Sequence, residues 1–546
     1  MIKARFLPRF LVASFLSIAM SWQSAMAATM TPPEAARLLN QATFGANQAD
    51  LDKAITMTAE SWVDQQIVAS GGWFHQNSCN TSNKNPSTGK VDLYSRAYTW
   101  WRVSLYAPDQ LRQRVAYALS QILVVSEKNS LFSNDGGAEG LCMYNDILVR
   151  NAFGNYRTLL EKVTLSSQMG VYLSMLSNDK PDATTGRRAD ENYAREFMQL
   201  FTIGLTKLNL DGSNQLDANG VPIPAYTQDD VENLARVFTG WSWANSSWAN
   251  GNPLQFLQPM KAFDDHHDKN AKIIVGGVSI PANGSTTQDL KLALDAIFRH
   301  PNVGPFVSKQ LIQKLVTSNP SPAYVARVAT IFNNDGKNVR GNMAAVIKAI
   351  LLDPEAVNGV AENPNFGKAR EPLLRQTHLW RLLKALPASS DNRYQYNSYN
   401  MNAEQGQAPL AADSVFNFYQ PDYAPAGEIR DSGLVAPELQ LTTDPGVAGA
   451  LNRIYVSIYY DYSTRSGVST TAIRSVLTDL LAIAPNTDQL LAKLDLLLFS
   501  GQMDATLKST LATYLNSIPT SSDKGLARLQ EALYLSFSSP QYMHQR

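Results

Sequence analysis

The sequence has little cysteine, little histidine and no surplus of either charge. Its 546 residues contain two cysteines, six histidines, and 47 basic residues that are balanced by 47 acidic ones. Because there is no basic field, binding to nucleic acid or anionic lipid through charge is not expected. The cysteines are far apart and form no CxxC pair, so they do not make a zinc site on their own. The GxSxG, P-loop, dinucleotide-binding and HExxH motifs are also missing.

Long apolar runs are missing as well, apart from one that begins at residue 10. Residues 10–20 follow a positively charged start and precede the small-x-small pattern Ala25-Met26-Ala27. This arrangement predicts a secretory signal peptide at 1–27, with cleavage before Ala28. A transmembrane anchor is the weaker alternative, because the run has about half of the ~20 residues that a span needs. Without an Arg-Arg pair, the general secretory route fits better than the twin-arginine route.

Export has consequences for the charge and for the cysteines. Removing Lys3, Arg5 and Arg9 takes the formal net charge from 0 to −3. In an oxidising compartment Cys79 and Cys142 could form a disulfide, and two separate thiols are the alternative. After cleavage no transmembrane anchor remains, and we expect a periplasmic or secreted protein.

Helical patterns dominate the rest of the chain. Thr31 and Glu34 form a capping-box sequence with proline in the first turn, and Thr227 with Asp230 forms another. At 190–204 apolar residues recur with helical spacing, and a glycine ends the pattern. Further helices are predicted at 108–127, twice within 140–178 with a break near 153–155, and at 286–299, 303–317, 322–333, 340–352, 369–385, 446–459, 470–483, 487–498, 504–516 and 523–537.

Strand patterns are few and short. Turn sequences between apolar pieces predict β-hairpins within 208–226 and 271–280. Five polar stretches are expected to be loops: 71–95, 128–140, 243–270, 386–413 and 419–445. The sequence therefore predicts a mainly α fold, a multi-helix interwoven bundle with small β-hairpin insertions. We expect a helical main domain at 28–385 and a loop-rich segment with a C-terminal helical lobe at 386–546, unless the two form one domain.

The first candidate site is a dense polar face on the predicted helix at 190–204. Glu191 and Arg195 are four residues apart, and so are Asn192 and Glu196, so each pair shares a helix face. A solvated face with ion pairs is one interpretation. The other is a buried polar network that lines a cleft.

A second candidate site lies at 263–269, where two histidines and three aspartates are close together. Imidazole and carboxylate suit acid–base chemistry, but adjacent histidines lack the spacing of metal ligands. A polar loop is the alternative. Residues 209–220 have the composition of a calcium loop without the EF-hand's glycine and glutamate, and turn-forming Asx residues explain them more simply.

Several motifs spread along the chain match those of a known family. The central ones are ENYAREFMQLFTIG (191–204), YTQDDV (226–231) and FTGW (238–241). His267, Asp268, Lys272 and the glycines at 276–277 follow. Further matches are LLNQATFG (38–45), REP (370–372), GQ (406–407), VFN (415–417) and the ending SPQ (539–541) to QR (545–546). Over nearly the whole mature chain, the sequence resembles the bacterial domain of unknown function 1800 family.

The resemblance implies an exported protein without an established activity or cofactor. Some members carry a Trp-His-Asn-His run in an early helix, but the corresponding stretch here is ALSQ (118–121), so a metal held by those histidines is not implied. Members often occur beside genes for sulfatase-like exported proteins. A sulfatase-like exported protein is therefore a candidate partner, and a glycan is a candidate ligand.

Two hypotheses about function follow. The first is a hydrolase or lyase that acts on a cell-envelope or extracellular polysaccharide. Its predicted catalytic residues are Glu191, Glu196, His267 and Asp268, and its predicted substrate-binding residues are Asn192, Arg195, Asp230, Trp241 and Lys272. The second is a non-catalytic partner in envelope assembly, secretion or binding. Convergence of these residues in an open cleft favours the enzyme, and pairing in a closed interior favours the second hypothesis.

Overall fold

The computed structural model describes residues 28–69, 72–85, 87–248, 255–388, 393–462 and 473–546, and the predicted signal peptide at 1–27 lies outside them. Helices make up most of the regular structure, which confirms a mainly α fold. The first half of the chain forms α1 (Pro32–Ala42), α2 (Gln48–Ala54), α3 (Ala59–Val68), α4 (His75–Ser82), α5 (Leu93–Tyr106), α6 (Gln110–Ser120), α7 (Gly137–Asn151), α8 (Tyr156–Thr164), α9 (Ser167–Tyr172), α10 (Asn192–Glu196) and α11 (Gln228–Val237).

The second half is built in the same way. Its helices are α12 (Thr286–Arg299), α13 (Val303–Leu315), α14 (Pro322–Asn333), α15 (Met343–Leu351), α16 (Pro354–Asn358), α17 (Pro372–Leu382), α18 (Ser398–Gln405), α19 (Glu428–Asp431), α20 (Asp444–Tyr459), α21 (Thr478–Leu481), α22 (Thr487–Phe499), α23 (Ala505–Asn516), α24 (Leu526–Ser538) and α25 (Pro540–Met543). None of the described helices has both the length and the apolarity needed to cross a bilayer.

Helices begin where the sequence provides caps. The Thr227 hydroxyl accepts from the Asp230 N–H, and the Asp230 carboxylate accepts from the Thr227 N–H over 2.8 Å, which starts α11. Ser285 and Gln288 form the same box at α12, which has the predicted bounds. These caps satisfy N–H groups that the first helical turn leaves without partners.

The strands form short antiparallel pairs within the described part of the chain. They are β1 (Trp241–Ser242) with β2 (Lys261–Ala262), β3 (Lys272–Ile274) with β4 (Val278–Ile280), β5 (Lys368–Ala369) with β8 (His544–Gln545), and β6 (Leu386–Pro387) with β7 (Ile473–Arg474). The β3–β4 pair is the hairpin predicted at 271–280. The region 208–226 forms turns with isolated bridges, such as Leu208 with Asn214, rather than regular strands.

Some predicted loops and helices differ from the observed ones. The stretch 71–95 was predicted to be a loop and contains α4, and the predicted loop 386–413 contains α18. Both helices are polar, and their composition is typical of a loop. Within 470–483 the described residues form β7 and the four-residue α21 instead of one helix. In each case the segment packs against a distant element: α4 on α7, α18 on α20, and β7 on β6. Such partners are not visible in a local sequence window.

The core joins residues from both ends of the chain. One cluster contains Leu39 of α1, Leu498 of α22 and Phe537 of α24. A second, aromatic cluster contains Trp101 and Trp380, whose ring centroids lie 4.7 Å apart, and Trp101 donates its indole N–H to the carbonyl of Tyr396 over 2.9 Å. The division at residue 385 stays a prediction, and these contacts cross it.

Cys79 of α4 and Cys142 of α7 form a fully buried disulfide. The two residues are 63 positions apart, so the bond closes a long loop of the unfolded chain. The bond also fixes α4, a short polar helix with little apolar surface of its own, to the core helix α7.

Replacing both cysteines with alanine is expected to lower the free energy of unfolding by about 2–4 kcal/mol, because the unfolded chain regains loop entropy. Urea unfolding monitored by circular dichroism measures the change. As a control, a thiol reductant should destabilise the wild type and leave the double variant unchanged. Equal stability of the two proteins without reductant would contradict the expectation.

Candidate functional site

The polar residues predicted at the start of the central motif lie at the surface. Arg195 Nη2 and Gln228 Nε2 each donate to the same oxygen of Glu191 over 2.8 Å. Asn192 is exposed, and Asp230 is engaged in the cap of α11. These contacts are typical of a solvated helix face and a helix start, and they do not form a cleft.

Glu196 is buried, in contrast to Glu191. Its side chain is 7 % exposed, and its Oε2 has no hydrogen-bond partner among the described residues. Burial raises the pKa of Glu196, an effect that the Arg195 charge opposes. Burial raises the pKa of Tyr172 and of Tyr226, and the charge of Glu196 adds to this effect. Glu196 is therefore a buried acid among tyrosines, separate from the surface pair.

The second predicted site forms a buried ionic network. His267 Nε2 lies 3.1 Å from Asp289 Oδ2, and Lys272 Nζ donates to the same oxygen over 2.8 Å. Lys272 Nζ also donates to the carbonyl of Asp268 over 2.5 Å. The Nδ1 atom of His267 lies 3.0 Å from the carbonyl of Thr239, so both ring nitrogens face acceptor oxygens.

Asp268 extends this network to α11. Arg236 donates to both of its carboxylate oxygens over 2.9 and 3.2 Å. Burial alone would raise the pKa of Asp268, but hydrogen bonds from Arg236 and the Asn270 N–H, with the charges of Arg236 and Lys272, lower it. Because His267, Lys272 and Asp289 are each about 1 % exposed, this part of the network is closed to solvent.

Trp241 and the calcium-like loop hold structural positions. Trp241 is 3 % exposed and pairs through β1 with β2, so its ring offers no open face to a sugar. Asp211 and Asp217 accept hydrogen bonds within their own turns, at Ser213 and Asn219. Among the described residues, no group of three or more His, Cys, Asp or Glu side chains converges as a metal site would.

A cleft of about 520 Å³ opens elsewhere, and we call it the central cleft. Its walls come from four parts of the chain that are distant in sequence: the end of α6, the segment 199–214, helix α13 and the segment 415–422. The side chains that line it include Gln121 from the first, Gln199 and Asn214 from the second, Phe306, Lys309, Gln310 and Lys314 from α13, and Phe416, Tyr419, Gln420 and Asp422 from the last.

An irregular turn of the central motif shapes one wall. After α10 the chain continues as a π-helix from Phe197 to Thr202, a rare geometry that often occurs at functional sites. Gly204 ends this turn with a φ of +77°, and a Cβ there would lie 2.8 Å from the ring of Phe306. The predicted helix stop is confirmed, and the glycine lets the motif lie directly against α13.

Lys314 lies at the floor of the cleft, in the last turn of α13. Its Nζ lies 3.8 Å from the ring centroid of Tyr419, which is a cation–π contact. Burial lowers the pKa of Lys314 to about 8; the carboxylates of Glu371 and Glu438 oppose this shift, and Lys368 and Arg114 add to it. Its ammonium group therefore titrates at a lower pH than that of an ordinary lysine.

Behind the floor, the buried carboxylate of Glu371 joins three parts of the chain. One oxygen accepts from Tyr117 over 2.8 Å, from Gln121 over 2.7 Å and from Gln407 over 2.6 Å. Burial alone would raise the pKa of Glu371, but the charges of Lys368, Lys314 and Arg114 and the Gln407 hydrogen bond lower it. The carboxylate is therefore held in its charged form.

A similar carboxylate supports the end of α13. Glu438 lies 3.0 Å from Lys368 Nζ, and Arg114 and Lys368 donate to the carbonyl of Lys314 over 2.7 and 3.0 Å. Cations at a helix C-terminus are favourable, because the last carbonyls carry partial negative charge. These contacts fix the backbone of Lys314 and hence the position of its side chain.

The residues of this site were not chosen from sequence, although some signals were present. Glu371 and Gln407 are within motifs that carried the family resemblance, and Gln121 is in the stretch ALSQ. Lys314 follows Val307 and Leu311 at helical spacing, so it is a charged residue on an apolar helix face. Tyr419 is in a predicted loop and had no comparable signal.

The fold and the cleft define a mainly helical protein in which segments distant in sequence build the central cleft. Comparison with protein families then identifies it: the family described as "Protein of unknown function (DUF1800)" matches residues 37–544, and the chain belongs to that family. Comparison with curated proteins gives no match, and comparison with solved structures gives none either.

Replacing Asp289 with asparagine is expected to cost about 3 kcal/mol of unfolding free energy, because Lys272 and His267 lose their shared buried carboxylate. A matched control is Glu191→Gln, which removes a surface ion pair and should cost less than about 1 kcal/mol. Urea unfolding of both variants measures the difference. Equal stability of the two variants would contradict a structural role for the buried network.

Proposed function

We propose that the protein is an exported enzyme that cleaves a cell-envelope or extracellular polysaccharide, by hydrolysis or elimination, in the central cleft. The observation that carries the proposal is Lys314, a buried ammonium with a pKa of about 8 at the floor of a 520 Å³ cleft. A group that is protonated at neutral pH can donate a proton to a leaving glycosidic oxygen or stabilise the charge that develops on it.

The walls of the cleft support a glycan as the ligand. Amide side chains of Gln199, Gln310, Gln420 and Asn214 line it and can bind sugar hydroxyls as donors or acceptors. Phe416 also lines it and is 41 % exposed, which leaves a ring face available to a sugar. The volume falls in the range of small-molecule sites, so it suits a few sugar residues of a longer chain.

Tyr419 and Glu371 complete the proposed machinery. Burial, with the charges of Glu371 and Glu438, raises the pKa of Tyr419 well above its ordinary value, so the phenol keeps its proton. Gln121 Nε2 lies 3.4 Å from that hydroxyl and 2.7 Å from Glu371, which links the cleft floor to the buried carboxylate. Tyr419 would position Lys314 through its ring, and Glu371 would stabilise the positive charge from behind.

The second candidate function is a non-catalytic one, in envelope assembly, secretion or binding. The closed network of His267, Asp268, Lys272 and Asp289 favours it, since these motif residues pair with one another and are not open to a substrate. A sulfatase-like exported protein is the partner that we propose in this case. Catalytic roles for Glu191, Glu196, His267 and Asp268 stay predictions, and variants of Glu196 and His267 test two of them.

The main test is a screen of the mature chain (28–546) against envelope and extracellular polysaccharides, with new reducing ends and unsaturated products as readouts. Lys314→Met is expected to lower kcat/KM by about 100-fold, because the proton donor is lost. Lys337→Met, at an exposed loop, is the matched control and should be unchanged. If Glu196→Gln or His267→Ala abolishes activity in a stably folded protein while Lys314→Met does not, the proposed site is wrong.

The pH dependence of the reaction gives a second test. Since the protonated form of Lys314 is the active one, kcat/KM should be highest below pH 8 and fall as the pH rises through the Lys314 pKa of about 8. Initial rates measured across this interval, with unfolding curves at each pH as a control, provide the profile. Activity that increases through pH 8 would contradict the proton-donor role.

A further inference from the structure

We infer that the central cleft binds a glycan that carries an anionic group, a carboxylate or a sulfate, and that Lys314 holds this group. The inference rests on the proposed function, because it names the substrate class of the same cleft. It depends on a different observation, which is the charge balance of the buried groups around the cleft floor.

The buried charges at the floor are not balanced. Three cations, Arg114, Lys314 and Lys368, are close to two carboxylates, Glu371 and Glu438, and each of the five side chains is at least nine-tenths buried. Lys368 pairs with Glu438 at 3.0 Å, and Glu371 is bound by neutral donors. When Lys314 is protonated, the set therefore has one positive charge in excess.

Lys314 is the member of this set that lines the cleft. Among the described residues, no carboxylate oxygen lies within 4.0 Å of its Nζ, and its contact is with the face of Tyr419. An aromatic ring attracts a cation but does not neutralise its charge. A buried charge is ordinarily paired, so an anion in the cleft would supply the missing partner.

A second side chain at the floor also lacks a partner. Gln121 lines the cleft and is 6 % exposed, and its Nε2 is directed to Glu371, which fixes the orientation of the amide. Its Oε1 has no hydrogen-bond partner among the described residues. A free acceptor beside an unpaired ammonium suits a ligand with both a hydroxyl donor and an anionic group, as an acidic sugar has.

The charged groups around Lys314 determine how binding depends on pH. Glu371 and Glu438 favour its protonated form, whereas Lys368 and Arg114 disfavour it. Lys309 and Asp422 also line the cleft and carry opposite charges. Because an anion binds only the protonated ammonium strongly, affinity should be constant below the Lys314 pKa of about 8 and should fall above it.

The test is isothermal titration calorimetry of the mature chain with matched oligosaccharides. Oligogalacturonate supplies carboxylates, a sulfated oligosaccharide without carboxylates supplies sulfates, and fully methyl-esterified oligogalacturonate is the neutral control with the same sugar. We expect one or both acidic ligands to bind at least about tenfold more tightly than the ester. The preference should decrease between about pH 6.5 and about pH 9.5.

Lys314→Met should remove this preference, and Lys337→Met should leave it intact. The methionine variant is expected to fold, because the two remaining cations then match the two carboxylates, and its unfolding midpoint checks this. Equal affinity for acid and ester, or a preference that survives in Lys314→Met, would overturn the inference.

The outcomes separate this inference from the proposed function. Cleavage of neutral polysaccharides that depends on Lys314, without any preference for acidic ligands, would support the enzyme and reject the anionic substrate. Lys314-dependent binding of acidic ligands without any cleavage product would support the anionic ligand and favour the non-catalytic alternative.

Discussion

The buried carboxylate of Glu371 is the constraint on which the central cleft depends. It accepts hydrogen bonds from Tyr117 in α6, from Gln121 directly after α6, and from Gln407 far along the chain. A carboxylate in an apolar interior is costly unless donors and cations surround it. Meeting that requirement brings α6, α13, α17 and the segment after α18 together, and the space left between α13 and its neighbours is the cleft.

Two polar networks in this protein contain similar groups and differ in their access to solvent. Around Asp289, the positive charge of Lys272 is matched by Asp289 and Asp268, and every strong donor has an acceptor. Around Glu371, neither Arg114 nor Lys314 has a carboxylate oxygen within 4.0 Å among the described residues, and Lys314 is the one of these two that lines the cleft. A satisfied network specifies a fold, whereas an unsatisfied one at a cavity indicates a ligand. For this reason the proposed function rests on Lys314 and not on the histidines.

Much of the fold could be predicted from local patterns. The helices predicted at 286–299 and 322–333 match the observed bounds of α12 and α14, and Gly204 predicted the end of the π-helical turn. The failures included α4, α18 and the region of β7, whose sequences are polar or short. Their conformations depend on a disulfide, on α20 and on β6, and these partners come from distant parts of the chain.

The candidate site also combines features that could be predicted from the sequence with features that depend on distant parts of the chain. By itself, the sequence determined the helical class, the family membership through motifs along the chain, and the polar character of residues such as Glu371, Gln407 and Lys272. Only the tertiary structure decided which polar residues pair in a closed interior and which border a cleft. The physical reason is that charge and hydrogen-bonding capacity belong to a side chain, whereas burial and partners depend on the packing of elements that are hundreds of residues apart, as Tyr117 and Gln407 are.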